Sequence, residues 1–415
     1  MYIKHSFKGE RITLTTLLFL ILILLFSLST AQVHSQSISR VEPPNWWVGM
    51  KNSTLQLLVY GEDIAHLEPA INYQGVEIKS TVRLQNPNYL FLYLEISEQA
   101  AAGSFTLKLR NSDTGQMAAE HSYELRDRSQ SPAEREGFNP TDVIYLITPD
   151  RFANGNPDND AVEGLQEKPD RSHKFGRHGG DIQGILENLD YIEEMGFTAI
   201  WLNPVLENDM PRSSYHGYAT TDFYQIDRRF GTNEEYLELS KTAHDRGIKL
   251  IMDMILNHCG SEHWFVKDPP SKDWINFDGN YVQTNHRHNT VQDPHASEYD
   301  RMHFTEGWFG GSMPDLNQEN PYLADYLVQN TIWWIEFAGL AGIRMDTYPY
   351  SNKEFMNRWT CAVMQEYPDF NIVGEEWNNS PAIVSYWQRG KKNRDGYTSC
   401  LPSLMDFPVQ AAMAN

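Results

Sequence analysis

Short apolar segments separated by polar and glycine-containing turns fill the chain from about residue 38 to residue 125. Segments such as LQLLVYG, YLFLYLEI and GSFTLKLRN place apolar side chains in short clusters or at alternate positions, as β-strands do. Several such strands at this spacing predict an immunoglobulin-like β-sandwich over residues 32–128. The polar, proline-containing stretch that follows, RDRSQSPAEREG, is typical of a linker.

From residue 138 onwards the pattern changes to strands that alternate with helices. FTAIWLNPV and IKLIMDMI have the pattern of buried strands, whereas DIQGILENLDYIEEMG and NEEYLELSKTAHDRG have helical patterns that end in glycine. This alternation predicts an α/β domain over residues 138–415, with a parallel sheet and helices packed outside it. The alternation is interrupted at about residues 257–318, which predicts a subdomain inserted after the third strand.

Residues 1–31 have the pattern of a secretory signal peptide. The basic stretch MYIKHSFKGER precedes the apolar run ITLTTLLFLILILLFSLS, and Ser29 and Ala31 frame a cleavage point before Gln32. A retained membrane anchor is the alternative, because the apolar run approaches the ~20 residues that span a bilayer. We expect an exported protein, periplasmic or extracellular, with no stable membrane insertion after the signal is removed.

The charge balance narrows the range of partners. Lys and Arg number 34 against 55 Asp and Glu, and the net charge of −21 argues against nucleic acid and anionic membranes as partners. The three cysteines, Cys259, Cys361 and Cys400, are scattered through the later half of the chain and predict no disulfide framework. The mature chain is therefore expected to be held together by its core. Its oligomeric state stays open, with a homodimer among the alternatives.

Polar residues follow the predicted strands at the edge where barrel enzymes carry their chemistry. Arg344 and Asp346 lie two apart on a strand, so their side chains point the same way and the arginine is expected to keep the aspartate charged. Glu375 has no basic sequence neighbour, so burial and a nearby anion are expected to raise its pKa. An ionised and a protonated carboxyl roughly 5 Å apart are what a retaining glycosidase requires. A structural ion pair between Arg344 and Asp346 is the alternative.

Six segments in order resemble the motifs of the α-amylase family of glycoside hydrolases, in particular its neopullulanase and cyclomaltodextrinase group. They are GFTAIWLNP (196–204), YHGYATTDFYQID (215–227), DMILNH (253–258), MPDLN (313–317), GIRMD (342–346) and GEEW (374–377). The resemblance covers roughly residues 140–410, and the preceding sandwich with EPPNWWVGM resembles that group's N-terminal module. It implies a (β/α)8 TIM barrel and a retaining hydrolase of α-glucosidic bonds in maltodextrins, cyclodextrins or pullulan.

Carried over residue by residue, the resemblance implies that Asp346 is the nucleophile, Glu375 the acid/base and Arg344 the electrostatic partner of the nucleophile. It also implies a set of residues around the substrate, with Tyr218 stacking under the sugar at the cleaved bond and His258 bonding sugar hydroxyls. The further members of that set are Asn257 and Asp253, of which Asp253 is expected to support the site rather than touch the ligand.

The remaining polar residues near these motifs receive no functional role. Glu376 is expected to point away from Glu375, because neighbouring strand residues face opposite sides of a sheet. Several histidines are expected to be solvated loop residues: His216, His244, His263, His286 and His288.

A calcium site is predicted in the loop NGNPDND and the nearby GGD segment. Oxygen ligands in a flexible loop suit Ca²⁺, and the spacing resembles the calcium loop of the neopullulanase group. The candidate ligands are Asn154, Asn156, Asn159, Asp160, Gly179 and Asp181. A plain polar turn is the alternative, since turns use the same residue types.

The sequence departs from the family pattern after GEEW. The family's third carboxylate, on a seventh strand, has no counterpart, and the setting of Asp406 resembles the sixth-strand region instead. We therefore expect a barrel that is incomplete in this chain, either as a fragment of a longer protein or as a degenerate copy. Two alternatives to the hydrolase follow: a truncated, non-catalytic glucan-binding protein, and a transglycosylase of the same family.

Overall fold

A computed structural model describes residues 37–131 and 135–414, so the predicted signal peptide lies outside the described residues. The described chain begins with a β-sandwich of two four-stranded sheets. Its strands are β1 (Arg40–Glu42), β2 (Asn45–Trp47), β3 (Thr54–Tyr60), β4 (Leu67–Ala70), β5 (Val76–Val82), β6 (Tyr89–Ile96), β7 (Gly103–Asn111) and β8 (Met117–Arg126). The sheet orders are β1-β3-β6-β5 and β2-β8-β7-β4.

Apolar cross-strand pairs hold the sandwich together. In the antiparallel pair β3–β6, Leu55 lies opposite Leu94 and Leu57 opposite Leu92, and all four side chains are fully buried. Pairs of this kind stabilise a sheet through side-chain packing and through the removal of apolar surface from water. The predicted sandwich is therefore confirmed.

The second part of the described chain contains a six-stranded parallel sheet. The strands in this region are β9 (Ile144–Ile147), β10 (Ala199–Leu202), β11 (Leu206–Glu207), β12 (Asp222–Ile226), β13 (Lys249–Met254), β14 (Gly342–Met345), β15 (Ile372–Gly374) and β16 (Ser403–Leu404). The parallel sheet has the order β16-β15-β14-β13-β10-β9, and β11 and β12 form a separate antiparallel pair. Within residues 135–414, β9 and β16 are the two edges of this sheet, which confirms the expected incomplete barrel.

Helices connect these strands. They are α1 (Pro149–Phe152), α2 (Ile182–Glu187), α3 (Leu189–Glu194), α4 (Asn233–Asp245), α5 (Trp264–Lys267), α6 (Glu298–Thr305), α7 (Pro321–Ala338), α8 (Lys353–Glu366), α9 (Pro381–Ser385) and α10 (Phe407–Ala414). α4 begins with a capping box, in which Thr232 and Glu235 satisfy each other's free backbone N–H groups. α7 begins at an Asn320 cap followed by Pro321 and ends at Gly339, whose φ of 64° suits a residue without a side chain.

The segment between β13 and α7 contains α5, α6 and short 3₁₀ turns, including one at His288–Val291. Isolated bridges join His258 to Asp315 and Ile275 to Leu316, so the segment folds back over the carboxyl end of β13. It corresponds to the predicted insertion.

The sandwich packs against α7. Gln56 and Gln329 exchange two hydrogen bonds, from Gln56 N to Gln329 Oε1 at 2.7 Å and from Gln329 Nε2 to Gln56 O at 2.8 Å. The ring of Trp47 lies 6.5 Å from that of Trp333, and both residues are buried. This long helix therefore anchors the N-terminal module to the barrel.

A disulfide joins Cys361 in α8 to Cys400 in the loop before β16, with their Cα atoms 5.0 Å apart. The expectation that the chain relies on its core alone is wrong for this region. The two cysteines are 39 residues apart, and only the folding of both segments around β15 brings them together. Cys259 is a buried free thiol. Among the helices that the structure describes, none combines the length and apolarity needed to cross a bilayer.

Candidate active site

Three neighbouring strands bring the candidate catalytic residues together. In the parallel register, Asp253 of β13 lies beside Arg344 of β14, and Met345 of β14 lies beside Gly374 of β15. The next residue along each of these last two strands is a carboxylate, Asp346 or Glu375. Because the carboxyl ends of parallel strands meet at one edge, both acids face the same region.

Arg344 is the centre of this cluster. Its guanidinium contacts Asp346 Oδ1 at 2.6 Å, Glu375 Oε1 at 2.6 Å and Asp253 Oδ1 at 2.8 Å, and the residue is 4% exposed. The sequence predicted the contact with Asp346, whereas the contact with Glu375 joins two neighbouring strands and was not predicted. The planar guanidinium presents several fixed donors, so it can hold three carboxylates that a single ammonium group cannot hold in the same geometry.

Asp253 lies behind the other two acids and is fully buried at its side chain. Trp201 Nε1 and the Tyr218 hydroxyl each donate to Asp253 Oδ2 at 3.0 Å. Burial raises the pKa of Asp253, and the Arg344 guanidinium opposes that shift. Asp253 is buried and does not line the cavity, and its contacts with Tyr218 and Arg344 place it to orient these two side chains.

Glu375 has the electrostatic setting of a general acid. Burial and then the neighbouring Asp346 raise its pKa, whereas Arg344 and the backbone N–H of Thr347 lower it. That N–H donates to Glu375 Oε2 at 3.0 Å. Thr347 has a φ of 45°, which is unusual for a β-branched residue, and this left-handed turn directs its N–H to the glutamate.

Asp346 and Glu375 line a cavity of about 490 Å³. Its wall is largely aromatic and histidine-rich: His216, Tyr218, His258, His288, Phe309, Tyr350 and Trp377. The remaining lining residues are Met313, Arg344 and Thr347. A concave site with aromatic walls and a few convergent polar groups is the usual form of a small-ligand pocket.

Tyr218 and His258, the predicted sugar contacts, both lie in this wall. Tyr218 is held by Asp253 and by Asn203 Nδ2, which donates to its hydroxyl at 2.8 Å. Burial lowers the pKa of His258 to about 4, so its ring is neutral near pH 7. His258 Nε2 lies 3.1 Å from Tyr218 O and Nδ1 lies 3.3 Å from Asn257 Nδ2. Asn257 lies behind the wall, where it donates to the buried Asp315 at 2.9 Å.

The structure corrects the assignments of three histidines and shows the partners of one glutamate. His263 is fully buried and caps α5. His216 and His288 line the cavity and are not solvated loop residues. Glu376 is also fully buried, with His288 Nδ1 at 2.6 Å and Trp387 Nε1 at 2.8 Å. Two signals in the sequence could have found this group: a second acid at the end of a buried strand, and two histidines spaced two apart in NHRH.

Trp377 was quoted in the GEEW motif without a role. Its side chain lines the cavity although the residue is 69% exposed, and its ring stacks on that of Phe407 with an interplanar angle of 9°. An exposed aromatic face at the rim of a pocket provides a surface for a flat apolar ring.

The predicted calcium ligands lie in one loop region, but they have different partners. The Asp181 carboxylate accepts from the N–H groups of Gly155, Asn156 and Gly184, so it caps α2. Asn156 Oδ1 accepts from Asp158 N and caps a 3₁₀ turn.

The other members of the calcium set are arranged differently. Asp160 Oδ1 accepts from Asn154 Nδ2 at 2.7 Å. Asn154 Oδ1 and Asn159 Oδ1 are buried without a hydrogen-bond partner, and Gly179 packs so closely on Asp160 that a Cβ there would meet its carboxylate. Among the described residues, no group of three or more His, Cys, Asp or Glu side chains has the arrangement of a metal site.

Two family models match this chain. The model described as the alpha amylase catalytic domain matches residues 146–398, and the model described as the cyclomaltodextrinase N-terminal domain matches residues 40–129. The second match coincides with the β-sandwich. The first covers the candidate active site and more than half of the chain.

Individual proteins show the same relationship. The chain is 32% identical over 282 residues to a cyclomaltodextrinase of Thermoanaerobacter pseudethanolicus, covering 66% of this chain and 44% of the relative. It is 33% identical over 250 residues to neopullulanase 2 of Thermoactinomyces vulgaris, covering 57% of this chain and 39% of the relative. The matched region thus spans less than half the length of these curated relatives.

A crystal structure of an Anoxybacillus alpha-amylase is 35% identical, with a TM-score of 0.54, and covers 65% of this chain and 53% of that one. An alpha-amylase from Geobacillus thermoleovorans, solved in complex with acarbose, is 34% identical, with a TM-score of 0.51 and coverages of 66% and 53%. With its catalytic-domain match, its cyclomaltodextrinase-type N-terminal module and these relatives, the chain belongs to the alpha-amylase family of glycoside hydrolases.

Proposed function

We propose that the protein is a retaining α-glucan hydrolase that cleaves α-glucosidic bonds in maltodextrins, cyclodextrins or pullulan. The observation that carries the proposal is the pair Asp346 and Glu375, held by one guanidinium at the wall of an aromatic-lined cavity. A cluster built only for stability would not need to open into a cavity of this size.

The two acids have different roles in the proposed reaction. Asp346 attacks the anomeric carbon while Glu375 gives its proton to the departing glycosidic oxygen, and a covalent glycosyl-enzyme forms. Glu375 then takes a proton from the water that hydrolyses this intermediate. The raised pKa of Glu375 favours the protonated form that the first step needs.

The aromatic wall supports a glucan as substrate. Tyr218 lines the cavity beside Asp346, and the exposed ring of Trp377 lies at the rim, so sugar rings have apolar faces to stack on. Relatives named cyclomaltodextrinase and neopullulanase support cyclodextrins and pullulan as members of the substrate class.

Hydrolysis of maltoheptaose, β-cyclodextrin and pullulan tests the proposal. We expect shorter sugars as products, with the α-anomer released first, and we expect Asp346→Asn to abolish their formation. Glu366→Gln is the matched control, because Glu366 is also buried but contacts Arg128 and the Lys51 backbone rather than the cavity. Binding without products would favour the glucan-binding alternative, and products longer than the substrate would favour the transglycosylase.

We also propose a calcium ion in the loop at Asn154–Asp160. The two partnerless amide oxygens of Asn154 and Asn159, together with the Asp160 carboxylate, fit a cation that prefers oxygen ligands. A bound ion would stabilise this loop beside the barrel. Because Asp181 and Asn156 use their side-chain oxygens as caps, we assign them to the support of the loop.

Export is the third part of the proposal. Residues 1–31 have the composition of a signal peptide, and the Cys361–Cys400 disulfide suits an oxidising compartment. The mature protein should therefore begin at Gln32 and be recovered from the periplasm or the medium. N-terminal sequencing of the secreted fraction tests this, and an intact Met1 in a membrane fraction would favour the anchor.

A further inference from the structure

A chain of hydrogen bonds runs from Glu376 to the wall of the cavity. His288 Nδ1 lies 2.6 Å from Glu376 Oε1, and His288 Nε2 lies 3.0 Å from the Tyr350 hydroxyl. That hydroxyl also lies 2.9 Å from His286 Nδ1. Three separate segments meet here: the end of β15, the 3₁₀ turn of the insertion and the loop after β14. His288 and Tyr350 line the cavity, whereas Glu376 is fully buried behind them.

The direction of these bonds follows from the donors available. Trp387 Nε1 can only donate, so Glu376 Oε2 must accept its bond of 2.8 Å. We assign Oε1 as an acceptor as well, because its 2.6 Å contact to His288 has the short length of a hydrogen bond to a carboxylate oxygen. The proton between them therefore belongs to His288 Nδ1. In the neutral imidazole, this leaves Nε2 as an acceptor.

Tyr350 is the member of this hydrogen-bonded series that reaches the cavity. Burial and then the carboxylates of Glu376, Glu375 and Asp346 raise the pKa of Tyr350, so its hydroxyl keeps its proton. A tyrosine hydroxyl has one donor and two acceptor positions. It donates to His288 Nε2 and accepts from His286 Nδ1, which leaves one acceptor position towards the cavity. Burial and then His288 lower the pKa of His286, which favours a neutral ring there.

We propose that Glu376 is a positioning residue which, through His288, orients the Tyr350 hydroxyl so that it accepts a hydrogen bond from a hydroxyl group of the bound sugar. The contact with a sugar rests on the proposed glucan hydrolase function, whereas the direction of the hydrogen bonds does not. Tyr350 is thereby a substrate-binding residue, and Glu376 and His288 act through it.

Glu376→Gln reverses the direction of these hydrogen bonds while keeping the size and shape of the side chain. The glutamine oxygen must face Trp387, because the indole offers only a donor, so the amide N–H turns towards His288 Nδ1. His288 then has to carry its proton on Nε2 and donate to Tyr350. Unless His286 also changes tautomer, the Tyr350 hydroxyl presents a donor to the sugar where it presented an acceptor.

The tautomer can be measured in protein labelled with ¹⁵N-histidine, with His288 assigned by comparison with His288→Gln. We expect the Nδ1-protonated form in the wild type and the Nε2-protonated form in Glu376→Gln. This measurement needs no substrate, so it is independent of whether the protein hydrolyses glucans. The same tautomer in both proteins would overturn the proposal.

A double-mutant cycle tests the link to the sugar. Glu376→Gln and Tyr350→Phe should each lower kcat/KM on maltoheptaose by about five- to tenfold, as expected for one hydrogen bond. The double variant should lose little beyond either single variant, because Glu376 acts through the hydroxyl that Tyr350→Phe removes. If the two losses in kcat/KM multiply in the double variant, Glu376 does not act through Tyr350 and the proposal is overturned. An unchanged kcat/KM in Glu376→Gln would also overturn it. Glu366→Gln, a buried substitution away from the cavity, should leave kcat/KM and the His288 tautomer unchanged.

Discussion

Removal of the Arg344 guanidinium tests whether one cation holds the whole carboxylate cluster. In Arg344→Met the apolar stem stays, while the three contacts of 2.6 Å to 2.8 Å with Asp346, Glu375 and Asp253 are lost. Breaking a buried ion cluster by removing one partner costs about 3–5 kcal/mol, because the remaining charges stay buried and unpaired. We expect a loss that approaches this size in the free energy of unfolding at about pH 9, above the pKa of about 7 that Asp253 has in the wild type.

The loss should depend on pH in a defined direction. In the wild type the guanidinium lowers the pKa of Asp253 and of Glu375, against the upward shift caused by burial. Without it both pKa values rise further, so the variant takes up protons more readily than the wild type as the pH falls. The contribution of Arg344 is therefore fully present only at alkaline pH, and it shrinks as the pH falls towards about 7, the pKa of Asp253 in the wild type.

Urea unfolding of both proteins at about pH 9 and about pH 7 measures this difference. Arg358→Met is the matched control, since Arg358 is half-exposed and pairs with Asp325 alone; it should cost no more than about 1 kcal/mol. A loss in Arg344→Met that is as small as the control, or that grows at the lower pH, would refute the assignment of Arg344 as the holder of the cluster.

Three further predictions follow from the same geometry. Glu375→Gln should lower kcat on maltooligosaccharides by about 10²–10⁴. An activated aryl glucoside should still form the covalent intermediate, because its leaving group needs little protonation. Equal losses of kcat on both substrates would contradict the acid role. In the wild type, the melting temperature should be higher in calcium than in chelator, and Asp160→Ala should remove this difference. Asp181→Ala should lower the melting temperature equally with and without calcium, because it removes a helix cap. If chelator leaves the melting temperature of the wild type unchanged, the calcium proposal is wrong. Reduction of Cys361–Cys400 should destabilise the protein by up to about 4 kcal/mol, from the entropy of the loop that it closes, and an unchanged melting temperature under reductant would contradict this.

The fold could be predicted because each strand and helix has its own local pattern of apolar and polar residues. The alternating segments gave the sandwich, and strands alternating with helices gave the parallel sheet. The pairing of Arg344 with Asp346 also followed from strand geometry alone, since residues two apart share a face. These inferences need only local information.

Contacts between distant segments could not be predicted in the same way. The contact of Arg344 with Asp253 depends on the register between β13 and β14, and 88 residues separate His288 from Glu376. The Cys361–Cys400 disulfide depends on the loop before β16 meeting α8. In each case the sequence supplies the residue type, but tertiary packing supplies the partner.

Covalent trapping of the nucleophile tests the central claim most directly. A fluorinated glucosyl fluoride should react with the wild-type protein and slow the breakdown of the glycosyl-enzyme, so that the label accumulates on one peptide. Mass spectrometry of the digested protein should locate it at Asp346, and Asp346→Asn should stay unlabelled while Glu366→Gln is labelled like the wild type. A label on a different residue, or wild-type turnover in Asp346→Asn, would contradict the two-carboxylate mechanism and leave Arg344 and Asp346 as a structural ion pair.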